Sequence, residues 1–318
     1  MAASAGIGHL RDPESTAMNI VKANGIELAW DQFGREGDPT ILLIAGLGVQ
    51  MIRWAVPFCE DLAARGYHVI RFDNRDAGCS THFGQHAPPD FGALAAALMA
   101  GQRPEVPYTL PDMAADAIGL LDALAIDRAH VVGLSMGGMI AQIMASEHPE
   151  RVLSLTSIMS GTGNPALPQA EPDVMAMMMR PAPDPISDEA GFLARSLAFT
   201  RRIAGSGHPV DEAAHRVLVL EEVARAYDPG GTGRQIAAMA VAGDRRARLA
   251  TIGVPTLVIH GADDPLIPPA CGADTAASIP GARFMRIDGM GHHLPATLHR
   301  TVADAIDRVA RRAPPNIR

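Results

Sequence analysis

Lysine is almost missing from this chain: Lys22 is the only one in 318 residues, and arginine supplies the rest of the positive charge. Basic residues number 27 against 35 acidic ones, a net charge of −8, so the chain lacks the basic footprint that nucleic acid requires. Cysteine is scarce as well. Cys59, Cys79 and Cys271 are odd in number and far apart, which fits neither a disulfide framework nor a zinc site and points to free thiols in a reducing cytoplasm. No run of 18 apolar residues occurs, so no membrane span is expected. The opening "MAASAGIGHLRDPEST" has no basic segment followed by an apolar one, so it does not read as a signal peptide. The histidines form no H-E-x-x-H pair. Neither G-x-G-x-x-G nor a P-loop appears, so no metal and no cofactor are expected.

What is present is a globular composition, with 47% apolar and 19% charged residues. It is arranged as strands alternating with helices. Asn24-Gly25 between two half-apolar runs predicts a hairpin. "TILLIAGLG", "YHVIRF", "AHVVGLS", "RVLSLTSIM", "VPTLVIHG" and "ARFMRID" read as strands, several of them continuously apolar like buried parallel strands. "FCEDLAARG" predicts a short helix closed by Gly66. Thr109 and Asp112 stand at capping-box spacing before a helix whose apolar stripe is Met113, Ile118, Leu121 and Leu124. Further helices are predicted after "AHVVGLS", near Pro269 to Ser278, and from about Pro295 to Arg311. The fold class is α/β, with a mostly parallel sheet covered on both faces. The rhythm stops near Ser160 and resumes near Arg248. The stretch between gives two helical patterns, "DEAGFLARSLAFTRRIA" and "VDEAAHRVLVLEEVARAY", and reads as a helical insertion. The expected organisation is therefore an extension over 1–18, a core over 19–160, an insertion over 161–248 and the rest of the core over 249–318.

One corner stands out. In "VVGLSMGGMIAQ" Ser135 lies between a buried strand and a helix, with Gly133 and Gly137 two residues to either side. A sharp strand-to-helix turn forces its middle residue into strained backbone angles, and neighbours without a Cβ relieve the crowding. Such a turn lifts the hydroxyl above the sheet end and aims helix N–H groups at whatever it attacks. A serine that merely caps the helix is the alternative at this point. A nucleophilic serine needs a base, and the base needs an orienting acid. Function in open parallel sheets gathers at the C-terminal strand ends. After later strands come "GADDPLIP" with Asp263 and Asp264, then "GMGHHLP" with His292 and His293, in the order Ser, Asp, His.

With "AGLG", "GLSMGG", "HGADDPLIP" and "GMGHHLP" together, the chain resembles an α/β-hydrolase from about Asn19 to Ala310. "RFDNRDAGCS", "DMAADAIGLLDAL", "GLSMGGMIAQ" and "HPERVLSLTSIMS" make it similar to serine carboxylesterases of the aclacinomycin methylesterase type. The resemblance implies Ser135 as nucleophile, Asp264 as acid on a G-x-x-D pattern counted from Gly261, and His292 as base on a G-x-G-H pattern. It also implies an oxyanion hole from the backbone N–H groups of Met136 and Leu47. Many relatives carry His-Gly before the latter position, where this chain has Ala45-Gly46. "DNRDAG" is charged, but it is expected to shape a turn and receives no catalytic role.

The function implied is hydrolysis of a small carboxylic ester through an acyl-enzyme, by a monomer or homodimer in the cytoplasm. The insertion is expected to act as a lid, with Met175, Met177, Met178 and Met179 either walling a hydrophobic pocket or packing the insertion onto the core. Other readings of the same triad are a cofactor-free perhydrolase or haloperoxidase, and a carbon–carbon bond hydrolase. A ligand-binding protein on a hydrolase fold is a further class.

Overall fold

A computed structural model of the chain describes residues 19–87 and 89–313. The extension over 1–18 lies outside the described residues. Among those described, eight strands form one sheet: β1 (Asn19–Ala23), β2 (Ile26–Phe33), β3 (Thr40–Ile44), β4 (His68–Phe72), β5 (Ala129–Leu134), β6 (Val152–Ile158), β7 (Thr256–Gly261) and β8 (Arg283–Ile287). Their order is β1-β2-β4-β3-β5-β6-β7-β8. The pairs β1–β2 and β2–β4 are antiparallel, and every later pair is parallel. Asn24 and Gly25 both adopt positive φ, 47° and 79°, as a tight hairpin of this residue pair requires.

Alternate strand residues face two separate cores, which is why β3 and β5 read as unbroken apolar runs. Leu42, Ile44 and Val131 enter one core with α3 (Leu110–Ala123) and α4 (Met136–Glu147). Ile41, Leu43 and Val132 enter the other with α1 (Val56–Ala64) and α11 (His299–Ala310). The capping box at Thr109 and Asp112 forms in both directions. Met113 and Leu121 are buried, while Ile118 and Leu124 pack at the core edge.

Four helices escape the periodicity. α2 (Phe91–Met99) follows the Pro/Gly-rich stretch and starts where the Asp90 side chain accepts from Gly92 and Ala93 N–H. Between β6 and β7 lie α5 (Pro172–Met179), α6 (Glu189–Ile203), α7 (Glu212–Arg225), α8 (Pro229–Val241) and α9 (Arg246–Leu249). Only α6 and α7 carry a recognisable stripe. α5 is short and methionine-rich, and α8 begins "PGGTG", where glycine weakens any helix signal. α10 (Pro269–Ser278) follows β7. Among the described residues no helix is long and apolar enough to cross a membrane.

Candidate active site

Ser135 sits between β5 and α4 with φ 56° and ψ −118°, a strained conformation for a residue with a side chain. The neighbouring glycines are there for space. A Cβ on Gly133 would lie 2.0 Å from Gly137 O, and one on Gly137 would lie 2.2 Å from Ile44 O. The turn is pinned from below, because Ser135 N–H donates to Ile158 O at 2.8 Å and Met159 N–H donates to Ile259 O at 2.8 Å.

Two later loops reach this serine. Asp264 follows β7 and His292 follows β8, and both are buried. His292 Nδ1 is 2.7 Å from Asp264 Oδ2, and His292 Nε2 is 3.0 Å from Ser135 Oγ. A carboxylate only accepts, so Nδ1 carries the proton of the neutral ring. Nε2 is then left as an acceptor toward the serine hydroxyl. Asp264 Oδ1 accepts from Leu266 and Ile267 N–H at 2.9 Å each. Burial pushes the Asp264 carboxyl up. The facing His292 and the hydrogen bonds from His260, His292 and Ile267 outweigh it and hold the group at about 2.

The geometry separates the adjacent pairs. Asp263 points away and accepts from Ser206 N–H at 3.0 Å and from its hydroxyl, which keep its carboxyl below the usual range. Burial pushes the His293 imidazole down to about 4, with Arg53 and other histidines nearby adding to the shift.

The loop after β3 passes close to the nucleophile. A Cβ on Gly46 would be 3.4 Å from that of Ser135, so the Ala45-Gly46 pair brings the backbone before Leu47 alongside the serine. Gly48 N–H donates to Gln235 Oε1 at 2.8 Å, so α8 braces this loop. Met136 heads α4, and its N–H is among the first-turn amides for which a helix offers no carbonyl. Gly46 of this loop and Met136 of α4 therefore both adjoin Ser135.

"DNRDAG" does shape a turn, and it also forms a buried hub. Asp73 takes Met51 N–H, Cys79 N–H and Arg225; Asn74 donates to Ala45 O at 3.0 Å. Arg75 makes a fork to both oxygens of Asp116 at 2.6 Å, and Arg234 of α8 makes one to both oxygens of Asp76 at 2.7 and 2.8 Å. Asp76, His82 and Asp228 bring potential ligand atoms within 4.8 Å of one another, but Arg234 already pairs with both carboxylates. The group is an ion-pair cluster.

Sequence reasoning missed His260. It is fully buried, its Nε2 donates to Ile267 O at 2.8 Å, and it stands 3.4 Å from Asp264 Oδ2 on the side opposite the backbone donors of Oδ1. The only signal was its place four residues before the acid, at the end of a strand. It missed Gln235 too, because nothing local marks a helical glutamine that braces a distant loop.

Comparison with known proteins agrees with this fold. A family model described as the alpha/beta hydrolase fold matches residues 39–216. A rhodomycin D methylesterase from Streptomyces sp. (strain C5) is 33% identical over 90% of this chain and 96% of its own. A second, from Streptomyces peucetius, is 33% identical over 87% of this chain and 93% of its own. Among solved structures, the enol-lactonase from Burkholderia xenovorans LB400 superposes with a TM-score of 0.65 at 23% identity, covering 92% of this chain and all of that one.

Proposed function

The chain belongs to the alpha/beta hydrolase fold family, and from that premise we propose that it is a carboxylic ester hydrolase working through Ser135, His292 and Asp264. The reading rests most on the unbroken chain of contacts from Asp264 through His292 to Ser135, 2.7 and 3.0 Å long, ending on a strained strand-to-helix turn. In this mechanism His292 Nε2 takes the hydroxyl proton as Ser135 Oγ attacks the ester carbon. Asp264 fixes the ring tautomer and stabilises the imidazolium. Charge develops on the former carbonyl oxygen against the N–H groups of Met136 and Leu47. The tetrahedral species collapses, His292 returns the proton to the leaving alcohol, and an acyl-Ser135 ester remains. Water then repeats the sequence and releases the acid.

The methylesterase relatives favour a methyl ester, with methanol as the alcohol that leaves. The segment 161–248 is the roof. Ser135 is 7% and His292 9% exposed, so the couple is nearly closed from solvent. A roofed site accepts short to medium acyl chains or compact hydrophobic esters and turns away long triglycerides. The deciding experiment is a panel of methyl and p-nitrophenyl esters of graded acyl length. It is paired with a serine-directed phosphonate, which should label the protein once, on Ser135. Turnover peaking on the longest acyl chains would overturn the roof. Ester turnover with no label on Ser135 would overturn the nucleophile.

A further inference from the structure

The loop that carries His292 is joined to the insertion by main-chain bonds as well as side-chain packing. His292 N–H donates to Ile203 O at 2.6 Å, Gly291 N–H to Ala204 O at 2.8 Å, and Gly207 N–H to Gly289 O at 2.9 Å. The turn from α6 toward α7 thus forms a short ladder with residues 289–292. Asp263 closes it from the third side: its own N–H donates to Met290 O at 2.9 Å, while its carboxylate receives Ser206 N–H at 3.0 Å and the Ser206 hydroxyl.

The approach is too close for any side chain. A Cβ on Gly291 would stand 2.1 Å from Ile203 O, and one on Gly205 would stand 2.5 Å from both Gly289 O and Gly291 N. Gly207 and Gly289 exclude a Cβ from each other's Cα at 2.9 and 2.7 Å, and Gly261 excludes one from Met290 O at 2.2 Å. Five glycines from three separate segments meet at one point, and backbone contacts of this length have little room to slide.

Resting on the catalytic reading above, we propose that the turn over 203–207 is a positioning element for the base His292, with Asp263 as its latch through Ser206. The roof is then fixed at this end, and whatever opening admits substrate lies away from the α6–α7 turn. The insertion has two duties: it covers the pocket, and it holds the imidazole at its reach to Ser135. Asp263 touches neither substrate nor reacting atoms and works only through the backbone of residues 289–292.

The test compares Asp263→Ala, which removes the acceptor, with Asp263→Asn, which keeps one oxygen for Ser206. Three readouts are taken on the full chain: kcat and KM on a p-nitrophenyl ester, labelling of Ser135 by a small dialkyl fluorophosphate, and hydrogen exchange at the amides of Gly291 and His292. Asp263→Ala should lower kcat and the labelling rate together by about tenfold, because a displaced base weakens both reactions. KM should stay within roughly twofold, since uniform binding is untouched. The two amides should lose protection, and Asp263→Asn should restore most of all three. Unchanged labelling with a raised KM would overturn the proposal in favour of a pocket-shaping role, and unchanged exchange would overturn it outright. If the wild type takes no label on Ser135, the catalytic reading fails instead. The exchange comparison still decides whether the latch holds the loop.

Discussion

Two clusters of buried charge lie at the C-terminal ends of this sheet, and they are built on opposite plans. Around "DNRDAG" every carboxylate meets cations and donors that leave nothing over. Asp116 is forked by Arg75, Asp76 is forked by Arg234 and also receives the Tyr108 hydroxyl at 2.6 Å, and Asp73 takes two backbone amides and Arg225. Arg75 further lies over the rings of Phe83 and Tyr108, 5.1 and 5.0 Å from their centroids. Around Asp264 the partner is a histidine, which passes the interaction on to Ser135. A guanidinium keeps its protons, so the pairs of Asp73, Asp76 and Asp116 with arginine hold structure together. An imidazole can take and return one, so the second can do chemistry. Charge density alone does not separate the two; exchangeability of the proton does.

The largest test of the contrast removes the end of the reactive chain. Ser135→Ala should lower ester turnover by about four orders of magnitude or more, while thermal unfolding stays near that of the wild type. Retention of a tenth of the activity would remove the serine from the nucleophile's role. Asp264→Asn should approach the same loss, roughly 10⁴ in kcat, because the amide presents the wrong partner to Nδ1. The neighbouring Asp263→Asn should stay close to wild type, since it still accepts from Ser206. Equal losses from the two aspartates would erase the distinction drawn between them.

The other cluster should respond in the opposite currency. Arg234→Met leaves Asp76 and Asp228 without their shared cation inside the protein, at a stability cost of about 3–5 kcal/mol. Molecules that remain folded should keep their kcat. A selective fall in kcat with no change in the denaturation midpoint would place Arg234 in the chemistry.

That contrast also shows which features were legible in the residues. The strands β3, β5 and β7, the capping box at Thr109 and the glycine-flanked Ser135 each advertise themselves within a dozen residues, because period, caps and steric demands are local. The choice of Asp264 over Asp263 came from a family spacing, and in the structure Asp264 is the one facing His292. The hub was not legible. "DNRDAG" displays its charges, but its partners Asp116, Arg225 and Arg234 lie 41 to 158 residues away, and no local pattern names them. α8 was hidden for a related reason. Its glycines suppress helix propensity, and tertiary burial of Arg234, Gln235, Ala237 and Ala238 supplies what propensity withholds.

Acid should loosen the molecule in two steps of smaller size. Burial pushes His130 down to about 4, with Arg128 adding to it; its Nδ1 faces Ser154 Oγ at 2.9 Å and its ring meets Tyr67 edge-on. Below the unfolded value of 6.5 the open chain takes a proton that the fold refuses. The contribution is therefore complete above that pH and lost as pH falls toward 4. Asp264, held at about 2 against an ordinary 3.8, contributes above 3.8 and loses that contribution as pH falls through 2. The steps are on the order of 3 and 2 kcal/mol respectively. Midpoints in urea measured from pH 7 to 3 should fall first through the histidine window. His130→Gln should make that part of the curve shallower, with His293, shifted to about 4 as well, keeping the remainder, and should leave the part below pH 4 unchanged.

The smallest effect concerns the insertion, where α5 carries four methionines in five residues. They do not form one wall. Val174 is buried and Met177 and Met178 are half-buried, three and four residues along the same helical face, whereas Met175 and Met179 are 39% and 40% exposed on the other. α5 packs on α6, and Arg195 of α6 donates to the Met177 backbone carbonyl at 3.2 Å. If that face also bounds the substrate, Met178→Ala enlarges the space, and bulkier esters should gain about 1–2 kcal/mol in kcat/KM relative to compact ones. Met177→Ala should behave alike, and Met175→Ala and Met179→Ala should leave the profile where it was. A chain-length profile that stays fixed in all four variants, with the unfolding midpoint lowered only for Met177→Ala and Met178→Ala, assigns the inward pair to packing α5 on α6. A shift caused by Met175→Ala or Met179→Ala would mean that the solvent-facing side of α5 turns toward substrate when the ester binds.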